Sequence, residues 1–228
     1  STPDEPEIPN LIDFSFGQPD PSYFPVEQLR SAAELTFNLS PYTALQYSIF
    51  RGSETLIFAL INYLSSRVNV PIEFQNIIIT NGSMQVLSMV GRVFLDPGDI
   101  ILTEAPTYFR AVTIFRGYEA QIEDVPVDEA GLRIDRLKLT LTRLNNLGKF
   151  PKLLYTMPTY QNPSGATMPY EHRMELLNLS ERYGFLIVED TAYNELWYDN
   201  PPPPSLYELS KGEGKVIQMG TFSKLMAP

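Results

Sequence analysis

The sequence contains no cysteine and a single histidine, His172. Without cysteine the chain can form neither a disulfide nor a thiolate nucleophile, and one histidine leaves too few of the ligands that zinc prefers. We therefore expect no metal site. Any chemistry must use carboxylates, hydroxyls, amides and lysine amines, so those side chains are the ones to examine.

Basic residues and long apolar runs are also scarce. Lysine and arginine total 17 against 27 acidic residues, a net charge of -10, which repels phosphate backbones and anionic lipid heads. We therefore predict no nucleic-acid and no membrane partner, and no run approaches the roughly 20 apolar residues of a bilayer span. Residues 1–10 are acidic and proline-rich, unlike a signal or transit peptide, which predicts a cytoplasmic location.

The 228 residues, 43% of them hydrophobic, are typical of a globular protein. Short apolar runs without alternation predict strands buried on both faces, as in a parallel sheet, at 76–80, 99–104, 152–157, 184–190 and 215–220. Apolar stripes with helical spacing predict helices at 56–64 after a Ser53 cap, at 134–144 closed by Gly148, and at 170–183 ended by Gly184. Strands alternating with helices predict a doubly wound α/β domain.

Residues able to bind a ligand follow the predicted strands, where such sheets bind their ligands: Gly82 and Ser83, Tyr108, Asn162, Asp190 with Tyr193, and Lys224. Each has an ordinary explanation, because most lysines are surface charges, Asn-Pro turns are common and aromatics at strand ends usually pack. Their coincidence is what matters. Together they predict a site for a phosphorylated cofactor with a cationic nitrogen and an aldehyde, held by Lys224 as a Schiff base.

Two of these positions have alternatives that the residues alone leave open. Gly82 and Ser83 at the start of a helix suit a phosphate, but taken alone this stretch favours a plain helix cap by Asn81 or Ser83. Asp190 could equally cap a following helix or pair with a protonated heterocyclic nitrogen, since a carboxylate at a buried strand end needs a donor or cation.

Six motifs appear in a fixed order: LQYSIFRG, TNGSMQ, EAPTY, NPSG, VEDTAY and TFSK. In these motifs the sequence resembles the fold-type I pyridoxal-phosphate enzymes of the class I/II aminotransferase group, most closely the branch with aminoadipate and kynurenine aminotransferases. The resemblance implies a pyridoxal 5'-phosphate cofactor, amino acid and 2-oxo acid substrates, and a homodimer with shared active sites.

The resemblance also implies roles for individual residues around the cofactor. Lys224 matches the lysine that forms the internal aldimine and moves the substrate proton, and Asp190 matches the acid paired with the ring nitrogen. Tyr108 matches the aromatic stacked on the ring, while Asn162 and Tyr193 resemble the donors to its phenolic oxygen. The expected phosphate ligands are Gly82, Ser83, Met84, Thr221 and Ser223.

Two further matches concern the edges of the site. Tyr47 matches a tyrosine that reaches the phosphate of the neighbouring subunit, and Gly17 resembles an N-terminal glycine that closes over the substrate. We expect residues 1–40 to form a segment that packs on the site and on a small domain, and residues 41–228 to form the cofactor-binding large domain.

The family continues well past its lysine, with a further arginine for the phosphate and a small domain whose arginine binds the substrate carboxylate. We therefore expect this chain to be part of a longer protein, with its large domain incomplete at the C-terminal end. A β-lyase and a cyclopropane-forming synthase share the cofactor motifs and differ in substrate contacts. The cofactor-binding effector domain of a transcription regulator is another alternative, as is a non-catalytic binding domain, although the retained cofactor residues argue against the latter.

Overall fold

A computed structural model describes residue 17 and residues 19–47 and 49–227. These residues form a six-stranded sheet in the order β3-β2-β1-β4-β5-β6. The strands are β1 Ile100–Ala105, β2 Gln121–Asp128, β3 Gly131–Leu132, β4 Pro151–Thr156, β5 Leu186–Asp190 and β6 Val216–Met219. All neighbours pair in parallel except β3, which runs antiparallel to β2. The predicted α/β class is therefore confirmed.

The helices are α1 Val26–Leu39, α2 Pro41–Ala44, α3 Glu54–Ser65, α4 Gly82–Phe94, α5 Phe109–Gly117, α6 Ile134–Asn146, α7 Tyr170–Tyr183 and α8 Leu206–Leu209. The three helices predicted from apolar stripes are α3, α6 and α7. Ser53 caps α3 by accepting a hydrogen bond from the Leu56 amide, and Gly184 ends α7 in the left-handed conformation, at φ 78°. Across the described ranges, no helix has both the length and the apolar character that a membrane span requires.

Helices cover both faces of the sheet, which makes the fold doubly wound. Because side chains alternate along a strand, Ile101, Leu153 and Val188 face α4 and α5, in a cluster with Leu87 and Phe115. Their neighbours Leu102, Leu154 and Ile187 face the opposite way, onto a core that α6, α7 and α8 supply. Apolar runs buried on both faces are what the sequence pattern indicated.

One predicted strand does not form, and two real strands, β2 and β3, were not predicted. Residues 77–80 follow a 3₁₀ turn, but they pair with no strand of the described residues, and Ile78 is 53% exposed. A strand requires a neighbour for its hydrogen-bond ladder. Conversely β2 lies next to the two-residue edge strand β3 and stays largely exposed, so its sequence, QIEDVPVD, lacks a continuous apolar run.

Candidate active site

The order of the strands creates a crevice between β1 and β4. From β1 the chain passes to β2 on one side, and it later returns to β4 on the other side of β1, so the loops after these two strands diverge. The β1 loop carries Tyr108 and the β4 loop carries Asn162. Ligands of doubly wound sheets bind at such a point, so the topology places two of the predicted site residues where a ligand is expected.

Asp190 is the last residue of β5 and is almost fully buried, with 4% of its surface exposed. Its Oδ2 accepts a hydrogen bond of 2.8 Å from the Tyr155 hydroxyl, and its Oδ1 accepts one of 3.1 Å from the Ala192 amide. Burial raises the pKa of Asp190, and these two bonds oppose the rise. A turn rather than a helix follows, so the helix-cap interpretation of Asp190 is wrong.

No cationic side chain of the described part of the chain contributes to the pKa of Asp190. A buried carboxylate is costly unless a cation or sufficient donors meet it. The Asp190 carboxylate is therefore suited to a ligand that brings its own positive charge.

Sequence reasoning missed Tyr155, which lies within β4 opposite Val188 of β5. Burial and the neighbouring Asp190 charge raise the pKa of Tyr155 well above its usual value, so the hydroxyl stays protonated and remains a donor. The only signal in the sequence was a tyrosine inside the apolar run KLLYTM. That signal does not reveal Asp190 as the partner of Tyr155, because their contact depends on the register between β4 and β5.

We expect Tyr155→Phe to raise the pKa of Asp190 further. The Tyr155 hydroxyl donates to the ionised carboxylate and so stabilises the charged form, which phenylalanine cannot do. Carbon-13 NMR of the Asp190 carboxyl against pH, in cofactor-free protein, measures the change. Tyr183→Phe, on α7 across the sheet, is the control that should leave the titration unchanged, and an unaltered Asp190 midpoint in Tyr155→Phe would contradict the assignment.

Tyr108 and Tyr193 lie beside Asp190. Burial raises the pKa of each tyrosine, and the charge of Asp190 raises both further. An interaction with the Asn162 side chain opposes the rise at Tyr193, and both rings pack against the cluster that contains Tyr155 and Met219. The structure thus brings four predicted residues together: Asp190, Tyr108, Tyr193 and Asn162.

Lys224 lies in a turn after β6, the strand that pairs with β5. Asp190 pairs with Met219 across the two strands, and the Thr191 hydroxyl donates to the Met219 carbonyl at 2.9 Å. The Lys224 Nζ donates to the Gly17 carbonyl at 3.0 Å, which brings two predicted residues together. Within the described residues Lys224 forms no ion pair with Asp190.

Two predicted hydroxyls flank this lysine in sequence. Thr221 Oγ1 and Ser223 Oγ share a hydrogen bond of 2.8 Å, and the Ser223 amide donates to Thr221 Oγ1 at 3.1 Å. The pair therefore forms one compact polar turn directly before Lys224, where both hydroxyls are only partly buried.

The start of α4 has the features of an anion site. Gly82, its first residue, has φ 75°, and a Cβ there would meet nothing within 4 Å, so open space adjoins the helix end. Asn81 is the N-cap residue of α4, as the plain-cap interpretation had it, but its side chain makes no capping bond, and Ser83 lies inside the helix. Met84, also in the first turn, is 42% exposed. The positive end of the helix is thus open to an anion.

Tyr47 lies apart from this cluster and is 99% exposed. The surrounding segment also presents large apolar side chains to solvent, namely Tyr42, Leu45, Ile49 and Phe50. The described residues contain no group of side chains that could hold a metal ion.

Glu189 precedes Asp190 but faces the other side of the sheet. Its carboxylate accepts bonds of 2.8 and 3.0 Å from the Leu206 and Tyr207 amides, at the start of α8. Arg173 is also fully buried on this side, and burial lowers its pKa to about 10. Strand alternation therefore separates a structural acid from the acid of the site.

These features fit pyridoxal phosphate. The start of α4 suits its phosphate, Asp190 suits its protonated ring nitrogen, and the Tyr108 ring offers an aromatic face. Asn162 and Tyr193 supply polar groups in the same cluster. The phosphate and the ring nitrogen of such a cofactor are thus each matched by groups that the fold brings to one edge of the sheet.

Comparisons with known proteins point the same way. A sequence model of the family described as Aminotransferase class I and II matches residues 9–227. Aromatic-amino-acid aminotransferase 1 of Thermococcus litoralis is 40% identical over 222 residues, which make up 97% of this chain and 53% of that protein. At lower identity, 30% over 185 residues, an uncharacterised HTH-type transcriptional regulator of Bacillus subtilis matches 81% of this chain, which is 37% of the regulator.

Solved structures are similar over nearly the same range. The multiple substrate aminotransferase of Thermococcus profundus has a TM-score of 0.91 and 40% identity, covering 97% of this chain and 55% of its own. The kynurenine aminotransferase of Pyrococcus horikoshii, in complex with PMP, has a TM-score of 0.88 and 41% identity, covering 93% and 52%. The chain spans about half the length of these proteins.

Proposed function

Because the chain belongs to the class I and II aminotransferase family, we propose that the intact protein is a pyridoxal-phosphate-dependent aminotransferase that moves an amino group between an amino acid and a 2-oxo acid. The observation that supports this most directly is Asp190, a buried carboxylate that lacks a cationic side-chain partner among the described residues and lies beside Tyr108 and Tyr193. Pyridoxal phosphate, when bound, supplies the electron sink for the reaction.

Each residue of the site has a part in this proposal. Asp190 holds a proton on the ring nitrogen, and Tyr155 and the Ala192 amide orient its two carboxylate oxygens. Tyr108 would pack against the cofactor ring, and Asn162 and Tyr193 would bind its phenolic oxygen. With the cofactor bound, Lys224 would hold it covalently and would move the proton of the substrate α-carbon.

The remaining residues bind the phosphate and the substrate. The proposed phosphate ligands are Gly82, Ser83 and Met84 at the start of α4, with the hydroxyls of Thr221 and Ser223. We place Gly17 over the substrate, since its carbonyl accepts a hydrogen bond from Lys224 Nζ. The division into segments 1–40 and 41–228 stays a prediction, and it falls partly outside the described residues. A cytoplasmic location also stays a prediction, which rests on the sequence alone.

We also propose a homodimer with shared active sites, in which Tyr47 reaches the phosphate of the other subunit. The exposure of Tyr47 and its apolar neighbours supports this, because soluble proteins rarely expose such a patch without a partner.

Mixing two inactive variants tests the shared site. If Tyr47 acts across the interface, a dimer of one Tyr47→Phe and one Lys224→Ala subunit has one site with both native residues. We therefore expect mixed dimers to regain tight covalent cofactor binding that neither parent shows, measured by absorbance titration. Tyr42→Phe is the control: Tyr42 is also highly exposed, at 89%, and this variant should bind the cofactor normally by itself. Mixed dimers that bind no better than the parents would contradict the proposal.

The activity itself is tested with the intact protein and pyridoxal phosphate, on a panel of acidic, aromatic and branched-chain amino donors with 2-oxoglutarate as acceptor. We expect glutamate formation that depends on the donor. Ammonia release without an acceptor would instead identify a β-lyase, and cofactor binding without turnover would favour an effector domain. The named aminotransferase relatives, at 40% identity, favour the first outcome.

A further inference from the structure

Glu104 is a buried carboxylate that the proposed mechanism does not use. It is the fifth of six residues in β1 and is 1% exposed. Its Oε1 accepts a hydrogen bond from Thr156 Oγ1 at 2.5 Å, its Oε2 accepts one from Gln161 Nε2 at 3.0 Å, and the Met157 amide donates to both oxygens, at 3.2 and 3.3 Å. All three donors come from the end of β4 and the loop after it.

Gln161 is equally buried and uses its whole carboxamide. Its Nε2 also donates to the Pro106 carbonyl at 2.7 Å, while its Oε1 accepts from the Ser164 amide at 2.9 Å and the Ser164 hydroxyl at 2.7 Å. The side chain thus closes the turn that contains Asn162 and ties it to the loop after β1. Pro106 lies two residues before Tyr108, and Gln161 is the residue before Asn162.

We propose that Glu104 and Gln161 are positioning residues that lock the two walls of the crevice together, so that Tyr108 and Asn162 are held at a fixed separation for the cofactor. The identity of that cofactor rests on the proposed function, but the locking of the two loops does not. Glu104 does not face the Asp190 side of the sheet, because it alternates with Thr103 and Ala105 along β1 and shares the face of Leu102.

The donor pattern explains why a carboxylate occupies position 104. Two of its partners are N–H groups, which can only donate, and an amide at this position would turn its own N–H₂ toward one of them. Burial raises the pKa of Glu104, and the hydrogen bonds from Thr156, Gln161 and Met157 lower it again. A buried acid with several donors is retained where fixed geometry is needed, since its loss leaves those donors unpaired.

The first test needs no cofactor. In the intact cofactor-free protein, Glu104→Gln should speed hydrogen exchange at the amides of Met157 and Ser164, because these bonds hold the loop. Glu189→Gln is the matched control: it removes an equally buried strand-end carboxylate that caps α8 instead. We expect it to speed exchange at Leu206 and Tyr207 only. Unchanged exchange at Met157 and Ser164 in Glu104→Gln would overturn the proposal, even if the protein binds no pyridoxal phosphate.

The second test measures whether the lock acts through Asn162. We expect Glu104→Gln to weaken pyridoxal phosphate binding about tenfold, the effect of one unpaired buried donor, and to shift the pH midpoint of the bound cofactor's visible absorbance. In an Asn162→Ala background the same change should have little further effect on that midpoint, because residues that act together are not additive. Equal shifts in both backgrounds would overturn the positioning role.

If Glu104→Gln fails to fold, Gln161→Met takes its place in both tests, with the same expected and contradicting results.

Discussion

Replacing Lys224 by alanine is expected to abolish covalent attachment of pyridoxal phosphate and to lower the rate of amino transfer by about a thousandfold or more, since the variant loses both the nucleophile and the group that moves the substrate proton. Lys224 lies in the turn after β6, the strand that pairs with the Asp190 strand, and its Nζ donates a hydrogen bond to the Gly17 carbonyl. Non-covalent binding should persist, because the phosphate and ring contacts remain.

The measurement is the visible absorbance of the cofactor complex, followed by borohydride reduction and identification of the labelled residue. Lys215→Ala is the matched control. Lys215 lies just before the same strand and pairs with Glu181 at 3.2 Å, away from the site edge of the sheet, so this variant should keep both the label and the activity. A label that survives in Lys224→Ala would show that another amine holds the cofactor.

Replacing Asp190 by asparagine is expected to slow the amino-transfer half-reaction by about a thousandfold while the cofactor stays bound, because asparagine cannot hold a proton on the ring nitrogen. Asparagine conserves the size of the side chain, and its oxygen can still accept from the Ala192 amide while its N–H₂ group donates to the Tyr155 hydroxyl, so the local hydrogen bonds can be kept. Single-turnover kinetics with the cofactor preloaded separate this chemical effect from a loss of affinity.

Asp124→Asn is the control, because it makes the same substitution at a position outside the proposed site. Asp124 lies in β2, where its carboxylate accepts a bond of 3.2 Å from Thr103 Oγ1. It should transfer amino groups at the native rate. Should Asp190→Asn react as fast as Asp124→Asn, Asp190 would have only a structural role and the proposed reaction would lose its main support.

Much of the fold could be predicted from the sequence because its determinants are local. Apolar runs buried on both faces identified β1, β4, β5 and β6, and a serine cap or a terminal glycine located α3 and α7 within a few residues. The same holds for the candidate site. The residue types that follow the strands, with Lys224 and Asp190 at their centre, indicated the cofactor before any contact was known.

Only the tertiary structure decided how these pieces meet. Residues 77–80 have the composition of a strand but no neighbouring strand among the described residues, and hydrogen-bond ladders depend on such neighbours rather than on composition. Tyr155 reaches Asp190 because β4 and β5 pair in one particular register. Glu104 meets Gln161 because the strand order makes β1 and β4 adjacent. Order and register arise from the packing of segments distant in sequence, which no local pattern records.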